Sequence, residues 1–236
     1  PVSAKLALLS TLIPLTLIVG ALQPSIASAR RVVETHLTIA REHVSIDGQE
    51  VEAMAVNGGI PGPVLRWKIG DLARIHVTNE MDVPTSVHWH GLLLPNRQDG
   101  IPGLTTPGIR PGQTHTFEIP IHHAGTYWYH SHTSLQEQRG VYGAIVIEPE
   151  PSDQKVAPHF DRDVVLVFSD WTNLDPHAVL RLLKRGSEWM SIEKDTAQSL
   201  WGAMRVGELG AVFRRSLVRM PPMDISDVSY NAFLVN

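Results

Sequence analysis

The sequence contains no cysteine among its 236 residues. It therefore cannot form a disulfide, and its fold must be stable on packing alone. A closed structural zinc site is also disfavoured, because such sites are usually built on thiolates. Imidazole remains as a strong metal ligand, and the sequence contains 12 histidines.

Large blocks of one charge are also missing. The formal net charge is -4, and the lysine and arginine residues are scattered along the chain. Nucleic acids and anionic membrane surfaces are usually bound by basic clusters. We therefore expect neither as a partner.

Long apolar runs are absent except near the beginning of the sequence. Residues 6–22 are mostly apolar, but Pro14 and Gly20 interrupt them, and the run is shorter than the ~20 residues that a membrane-spanning helix needs. Small residues at 27–29 form a cleavage pattern. We predict an export signal at 1–29, a periplasmic mature protein and no membrane association after signal cleavage. The alternative is a membrane anchor.

The pattern from 30 to 150 predicts an all-β domain. Apolar and polar residues alternate on both sides of turns at Asp47-Gly48 and Gly70-Asp71. Proline and glycine then recur between short apolar segments up to about residue 149. This arrangement is typical of an antiparallel sandwich or a small barrel.

A different organisation begins after a polar, proline-rich stretch at 151–163, which we interpret as a linker. Residues 163–171 predict one more buried strand. Helical spacing follows, with Asp175 as a candidate N-cap, and indicates a helical insertion. The helical segments are 175–186, 187–205 and 209–220.

A short repeat links the two parts of the sequence. "NAFLVN" at 231–236 resembles "EAMAVN" at 52–57. We therefore predict that a second domain of the same kind begins within 164–236. On this hypothesis, and because the sequence begins with Pro1, we expect the natural protein to be longer.

Four of the histidines form two His-x-His pairs, each containing or preceded by a tryptophan. They lie in "HWHG" and "TYWYHSH" and comprise His88, His90, His130 and His132. Alternate side chains of a strand share a face, so each pair should present two imidazoles on the same side. Two such strands placed side by side would bring four imidazoles together.

This convergence favours a catalytic or redox metal site. Imidazole suits Zn, Cu, Fe and Ni, and the spacing does not choose among them. The alternative is a set of exposed histidines at a sheet edge. Met220 and Met223 could hold Cu(I) as soft ligands, but methionines around a Pro-Pro turn more often serve packing, which is the favoured interpretation.

The motifs "HWHG", "DG" at Asp99-Gly100 and "GTYWYHSH" resemble the first two copper-binding segments of the multicopper oxidases. "HSHTSLQEQRGVYGAIVIEP" resembles the copper-resistance oxidases of bacteria within that family. The resemblance covers nearly the whole chain after residue 29. It implies a cupredoxin-like Greek-key β-sandwich, a helical insertion and the start of a second cupredoxin-like domain.

The resemblance also implies roles for individual residues. His88 would bind the type 2 copper, and His90, His130 and His132 would bind the type 3 pair of a trinuclear cluster that reduces dioxygen to water. Asp99 would assist proton delivery, although turn chemistry alone also explains an aspartate before a glycine. Trp89 and Trp128 would pack around the cluster.

A complete member of the family also has a His-Cys-His segment for the type 1 copper, which this sequence lacks. The leading hypothesis is the N-terminal part of an oxidase acting on Cu(I) or phenols in copper resistance. C-terminal domains or another subunit would complete the cluster, and the chain by itself would be inactive. The alternative is a non-catalytic copper-binding or buffering module.

Overall fold

The computed structural model describes residues 30–149, 160–184, 199–217 and 228–236. The predicted signal at 1–29 lies outside these ranges, as do Met220 and Met223 and most of the predicted linker. The described strands are β1 (Val32–Ser45), β2 (Glu50–Val56), β3 (Gly62–Lys68), β4 (Leu72–Asn79), β5 (His88–His90), β6 (Thr114–Pro120), β7 (Gly125–His130), β8 (Tyr142–Glu148), β9 (Phe168–Trp171) and β10 (Ala232–Val235). The described α-helices are α1 (Pro176–Lys184), α2 (Leu200–Arg205) and α3 (Leu209–Leu217).

Two four-stranded sheets form a sandwich within residues 30–149. One has the order β2-β1-β4-β6 and the other the order β3-β8-β7-β5. In the first sheet β1 pairs antiparallel with β2 and parallel with β4, and in the second β3 pairs parallel with β8. The chain therefore crosses repeatedly between the sheets. This confirms the predicted all-β sandwich, but its sheets are mixed rather than purely antiparallel as predicted.

One apolar core lies between the two sheets. Trp67, Trp89 and Tyr129 come from the second sheet and Phe117 from the first, and each is at most 1% exposed. They reach the core because alternate residues of each strand point inward, as in "LARIHVTN" of β4, where every second residue is buried. Burial of these apolar side chains is the main force that stabilises the sandwich.

The predicted turn at Gly70-Asp71 has a more specific role than joining neighbouring strands. It connects β3 to β4, and these two strands belong to different sheets. Gly70 has a φ of 91°, which favours glycine. Asp71 is buried and accepts hydrogen bonds from Arg31 Nη2 at 2.6 Å and from the Lys68 amide at 2.7 Å. The turn therefore carries the chain across the edge of the sandwich.

The strand predicted at 163–171 is shorter and more exposed than expected. Only Phe168–Trp171 is a strand, and it pairs antiparallel with β10 in a separate two-stranded sheet. Trp171 is buried, but Phe168 is 74% exposed and Leu166 is 54% exposed. Within the described residues this face of the strand is therefore exposed, contrary to the prediction of a buried strand.

The short sequence repeat is also a structural repeat. The Asn57 amide donates to Thr38 O, and the Thr38 amide donates to Asn57 Oδ1. In the same way the Asn236 amide donates to Val167 O, and the Val167 amide donates to Asn236 Oδ1. Both asparagines have positive φ, 53° and 60°. The pair β9 and β10 thus repeats the end of the pair β1 and β2.

The helical insertion predicted from the sequence is present where the structure describes it. Asp175 caps α1, because the Ala178 amide donates to its Oδ1 at 2.8 Å. Ser199 caps α2 in the same manner through the Gly202 amide. Within the described ranges, none of the helices has the length and apolarity needed to cross a membrane.

Candidate metal centre

The two His-x-His pairs meet because β5 and β7 are neighbours. These strands pair antiparallel, with His88 opposite His130 and His90 opposite Trp128. In β5 the two imidazoles share one face, and Trp89 points the other way into the core. The alternation predicted from the sequence therefore holds, and it places the histidines on the face of the sheet that points away from the core.

Three of the four predicted ligands converge. His88, His90 and His130 each offer a ring nitrogen, and these nitrogens lie within 4.8 Å of one another. His90 Nδ1 and His130 Nε2 are 3.2 Å apart. Imidazole nitrogens bind a metal such as zinc at ~2.0 Å, so two ligands of one ion at a tetrahedral angle lie roughly 3.3 Å apart.

His132 lies beside this group rather than within it. Its ring centre is 5.7 Å from that of His88 and 5.9 Å from that of His130. It lies two residues after the end of β7, and its amide donates to Ser86 Oγ at 3.0 Å. The structure therefore places His132 next to the three converging imidazoles, in an exposed position.

His88 is oriented by the segment that contains Asp99. Its Nδ1 lies 2.8 Å from the backbone carbonyl oxygen of Asp99 and 3.2 Å from Oδ1 of the same residue. A carbonyl can only accept a hydrogen bond, so Nδ1 is the donor and Nε2 keeps its lone pair. Asp99 thus holds the ring mainly through its backbone, which a sequence motif does not reveal.

Glu137 is a site residue that sequence analysis missed. It begins the 3-10 turn Glu137–Arg139, and its Oε2 lies 2.7 Å from His130 Nδ1. The turn has neither helical nor strand periodicity, so no pattern predicts where this side chain points. Its only signal in the sequence is that it is a carboxylate five residues after His132.

The electrostatics favour a neutral His90 imidazole and an ionised Glu137 carboxylate. Partial burial of the ring and the neighbouring imidazoles of His130 and His88 lower the pKa of His90, although the residue as a whole is exposed. The hydrogen bond from His130 lowers the pKa of the Glu137 carboxyl. Neutral imidazole is the form that binds metals.

Both tryptophans contact the centre or its support. The ring of Trp128 is stacked on that of His130, with 4.0 Å between the ring centres. Trp89 is fully buried and packs edge-on against Phe117. This agrees with the packing roles expected from the sequence.

A buried polar network holds the two histidine segments together. Thr85 and Ser131 both donate a hydroxyl hydrogen bond to Gln136 Oε1, at 2.7 and 2.8 Å. Gln136 Nε2 donates to the Pro84 carbonyl at 2.8 Å. Ser86 lies beside this network and accepts from the His132 amide. The segment that leads into β5 is thus tied to the loop that carries His132.

The donor set fits a copper ion. All the converging ligands are imidazoles, which suit copper, and the described residues around them include no thiolate. In His88 and His130, Nδ1 is close to an oxygen that can accept its hydrogen. Nε2 therefore faces the centre with its lone pair. This is the usual arrangement of metal-binding histidines.

Other histidines also meet in the fold. His36 and His76 are opposite each other on β1 and β4, and their ring centres are 4.7 Å apart in nearly parallel planes. Rings stacked in this way do not aim two lone pairs at one point. Within the described residues, no third metal-binding side chain joins His36 and His76 to form a cluster.

The comparisons with known proteins agree on one family. Residues 38–152 match a family model described as multicopper oxidase. Copper resistance protein A of Escherichia coli is 42% identical over 211 residues, which are 86% of this chain and 34% of that protein. Copper resistance protein A of Pseudomonas syringae pv. tomato is 41% identical over 83% of this chain and 32% of its own length. The chain thus spans about a third of these relatives.

Solved structures give the same result for the fold. A laccase variant from B. aclada has a TM-score of 0.60 and 34% identity, over 66% of this chain and 29% of its own. A multicopper oxidase from Pseudomonas thermotolerans has a TM-score of 0.57 and 28% identity, over 64% of this chain and 39% of its own. These similarities confirm the predicted cupredoxin-like sandwich.

Proposed function

Because this chain belongs to the multicopper oxidase family, we propose that it supplies four imidazoles to the trinuclear copper cluster of an exported oxidase. The complete protein would oxidise Cu(I) or phenolic compounds, reduce dioxygen to water and contribute to copper resistance. The observation that carries the proposal is the convergence of three imidazole nitrogens within 4.8 Å.

Each histidine receives a role in this proposal. His88 would hold the type 2 copper, and His90, His130 and His132 would hold the type 3 pair. The 3.2 Å between His90 Nδ1 and His130 Nε2 favours these two as ligands of the same ion. His132, whose ring lies 5.9 Å from that of His130, would then bind the other ion of the pair.

Bound copper would supply the redox chemistry, and the chain would supply orientation and proton handling. Asp99 orients His88 through its backbone carbonyl and leaves its carboxylate 3.2 Å from the same nitrogen. We propose that this partly exposed carboxylate delivers protons to the cluster. Stacking of Trp128 on His130 would limit ring movement.

The rest of the cluster would come from elsewhere. A type 1 copper requires a thiolate in this family, and the sequence has no cysteine. We propose that C-terminal domains or another subunit provide the type 1 site and the remaining ligands. A chain of this composition would then be inactive by itself.

We also propose that residues 164–236 belong to a second cupredoxin-like domain that contains the helical insertion. The support is the structural repeat, in which Asn57 and Asn236 make equivalent hydrogen bonds. In this repeat Phe168 corresponds to Ile39, and Val235 corresponds to Val56. Ile39 and Val56 are buried in the first core. Phe168 and Val235, at 74% and 52% exposed, are the matching positions of a second core.

Export to the periplasm completes the proposal. It rests on the apolar segment and small-residue cleavage pattern of residues 1–29. A periplasmic location is consistent with the copper-resistance role that the names of the curated relatives indicate.

A copper titration of the purified chain tests the function. We expect stoichiometric Cu(II) binding that His90→Ala and His130→Ala each abolish, whereas His122→Ala, at an exposed position outside the centre, leaves it unchanged. Calorimetry gives the stoichiometry and electron paramagnetic resonance gives the coordination. Equal binding by all three variants would refute the centre.

The same titration separates the alternatives. Oxidase activity on addition of copper to the chain alone would favour a site completed between identical subunits. Tight binding without turnover is expected both for part of a larger oxidase and for a buffering module. Adding the complementary domains distinguishes these two, because only the oxidase would gain activity, and His130→Ala would then abolish it.

A further inference from the structure

The His130 imidazole is held on three sides. Its Nε2 faces His90, its ring face is covered by Trp128, and its Nδ1 lies 2.7 Å from Glu137 Oε2. The His130 side chain is 8% exposed, so water has little access to it. The ring orientation is therefore decided by its protein neighbours.

Two acceptors compete for the Nδ1 proton. The carbonyl oxygen of Ser131 lies 3.0 Å from Nδ1, and the Glu137 carboxylate lies 2.7 Å from it. Hydrogen bonds to ionised acceptors are shorter and roughly twice as strong as those between neutral groups. Glu137 is thus the stronger determinant of which nitrogen carries the hydrogen.

Glu137 itself is placed by a rigid turn. Gly140 ends this turn with a φ of 115°, and a Cβ there would lie 2.5 Å from Ile60 Cδ1 and 2.7 Å from Met54 O. On the other side, Gln136 is fixed by the buried network with Ser131. The carboxylate is therefore presented from a turn that is packed against the sandwich at both ends.

We propose that Glu137 is a positioning residue that selects the Nδ1–H tautomer of His130 and so presents the Nε2 lone pair to copper. This inference rests on the proposed function of the centre. His88 obtains the same tautomer from the backbone carbonyl of Asp99. The nearest acceptor of His88 Nδ1 is thus a backbone carbonyl, with the Asp99 carboxylate farther away at 3.2 Å, whereas the nearest acceptor of His130 Nδ1 is the Glu137 carboxylate.

The first test uses the metal-free chain labelled with ¹⁵N. Two-bond ¹H–¹⁵N spectra report which imidazole nitrogen of His130 is protonated. We expect the Nδ1–H form in the wild type and a mixture of tautomers in Glu137→Leu. The matched control is Glu148→Gln, because Glu148 has nearly the same side-chain exposure, 37% against 36%, and pairs with Lys68 instead.

The second test measures Cu(II) affinity in the same variants. Loss of a group that orients a metal-binding histidine typically costs 10- to 100-fold in affinity, so we expect roughly that loss in Glu137→Leu. Glu137→Gln keeps an acceptor oxygen without the charge and should lose roughly three- to tenfold. Glu148→Gln should bind copper like the wild type.

The outcomes are distinguishable. If Glu137→Leu left both the His130 tautomer and the copper affinity unchanged, the proposal would be overturned. The Ser131 carbonyl would then be the group that selects the tautomer. If Glu137→Leu does not fold, Glu137→Gln is used to test the proposal. Imidazole ¹⁵N shifts and a Cu(II) affinity equal to those of the wild type in Glu137→Gln would overturn the proposal. Failure of the wild type to bind copper would refute the proposed function, while the tautomer measurement would still test Glu137.

Discussion

At the residue scale, each imidazole of the centre presents one ring nitrogen to a metal. His88 and His130 both use Nδ1 for a hydrogen bond to an oxygen, which leaves Nε2 for a ligand. His90 instead directs Nδ1 toward the centre. The three imidazoles therefore present ring nitrogens to the same small volume.

Gly100 keeps the His88 segment in place. It has a φ of 79°, and a Cβ there would lie 1.7 Å from Val87 O. We expect Gly100→Ala to destabilise the chain by about 3 kcal/mol, because both the backbone conformation and the contact become unfavourable. Urea unfolding measures this loss.

Gly103 is the matched control for that experiment. Its φ is 75°, but a Cβ there would meet no atom within 4 Å. Gly103→Ala should cost only about 1 kcal/mol, which is the conformational part. Equal losses in both variants would show that the contact with Val87 does not matter.

Asp71 makes the stability of the sandwich depend on pH. The hydrogen bond from Arg31 lowers the pKa of this buried carboxyl, and the Lys68 amide lowers it further. A carboxyl with a lowered pKa stabilises the fold above its unfolded value of about 4, and this contribution is lost as the pH falls through the folded value. Stability should therefore decrease in acid.

The variant Asp71→Asn isolates this effect. The difference in unfolding free energy between wild type and variant should be largest near pH 7 and should shrink between pH 5 and pH 3. Urea denaturation at each pH measures it. Asp163→Asn, which removes an exposed ion pair with Arg66, is the comparison. A constant difference across this range would contradict the prediction.

At the scale of elements, β5 and the loop after β7 depend on one buried side chain. Gln136 accepts from Thr85 and Ser131 and donates to the Pro84 carbonyl. Gln136→Ala would leave these groups buried without their partner. We expect it to destabilise the chain by about 3 kcal/mol, since each unsatisfied buried polar group costs about 1–3 kcal/mol.

Thermal unfolding of Gln136→Ala and Gln138→Ala tests this assignment. Gln138 lies on the same turn but is exposed, so its replacement should change stability by less than about 0.5 kcal/mol. Gln136→Ala should also weaken copper binding, because the two histidine segments would no longer be tied together. Similar stability of the two variants would argue against the network.

At the scale of the whole molecule, the first sandwich contains both the core and the centre. Every residue of the apolar core lies between Val33 and Ile147, and the converging imidazoles lie between His88 and His130. Later residues are linked to this sandwich by hydrogen bonds such as Asn173 Nδ2 to Asp47 Oδ2 at 2.8 Å and Tyr142 Oη to Ser169 Oγ at 2.7 Å. Residues 30–149 should therefore form an independent domain.

We expect a protein of residues 30–149 to unfold cooperatively and to bind copper as the longer chain does. Circular dichroism and a copper titration measure these properties. Removal of the exposed apolar face of β9 and β10, which includes Phe168 and Phe233, should also increase solubility. An aggregated or copper-free product would show that the later residues are needed for the first fold.

Much of the fold follows from local periodicity in the sequence. Alternation predicts the strands, and the same alternation predicts that His88 and His90 share a face while Trp89 enters the core. Asp175 signals the start of α1 because capping involves residues three apart. These features depend only on the geometry of neighbouring residues, so the sequence alone determined them.

Only the tertiary structure decided which distant segments meet. It paired β5 with β7, sent the chain at Gly70 to the other sheet and left Phe168 exposed. It also brought Glu137 to His130 through a turn that has no periodicity. Such contacts depend on how strands pair and sheets pack over the whole domain, and local patterns do not encode that arrangement.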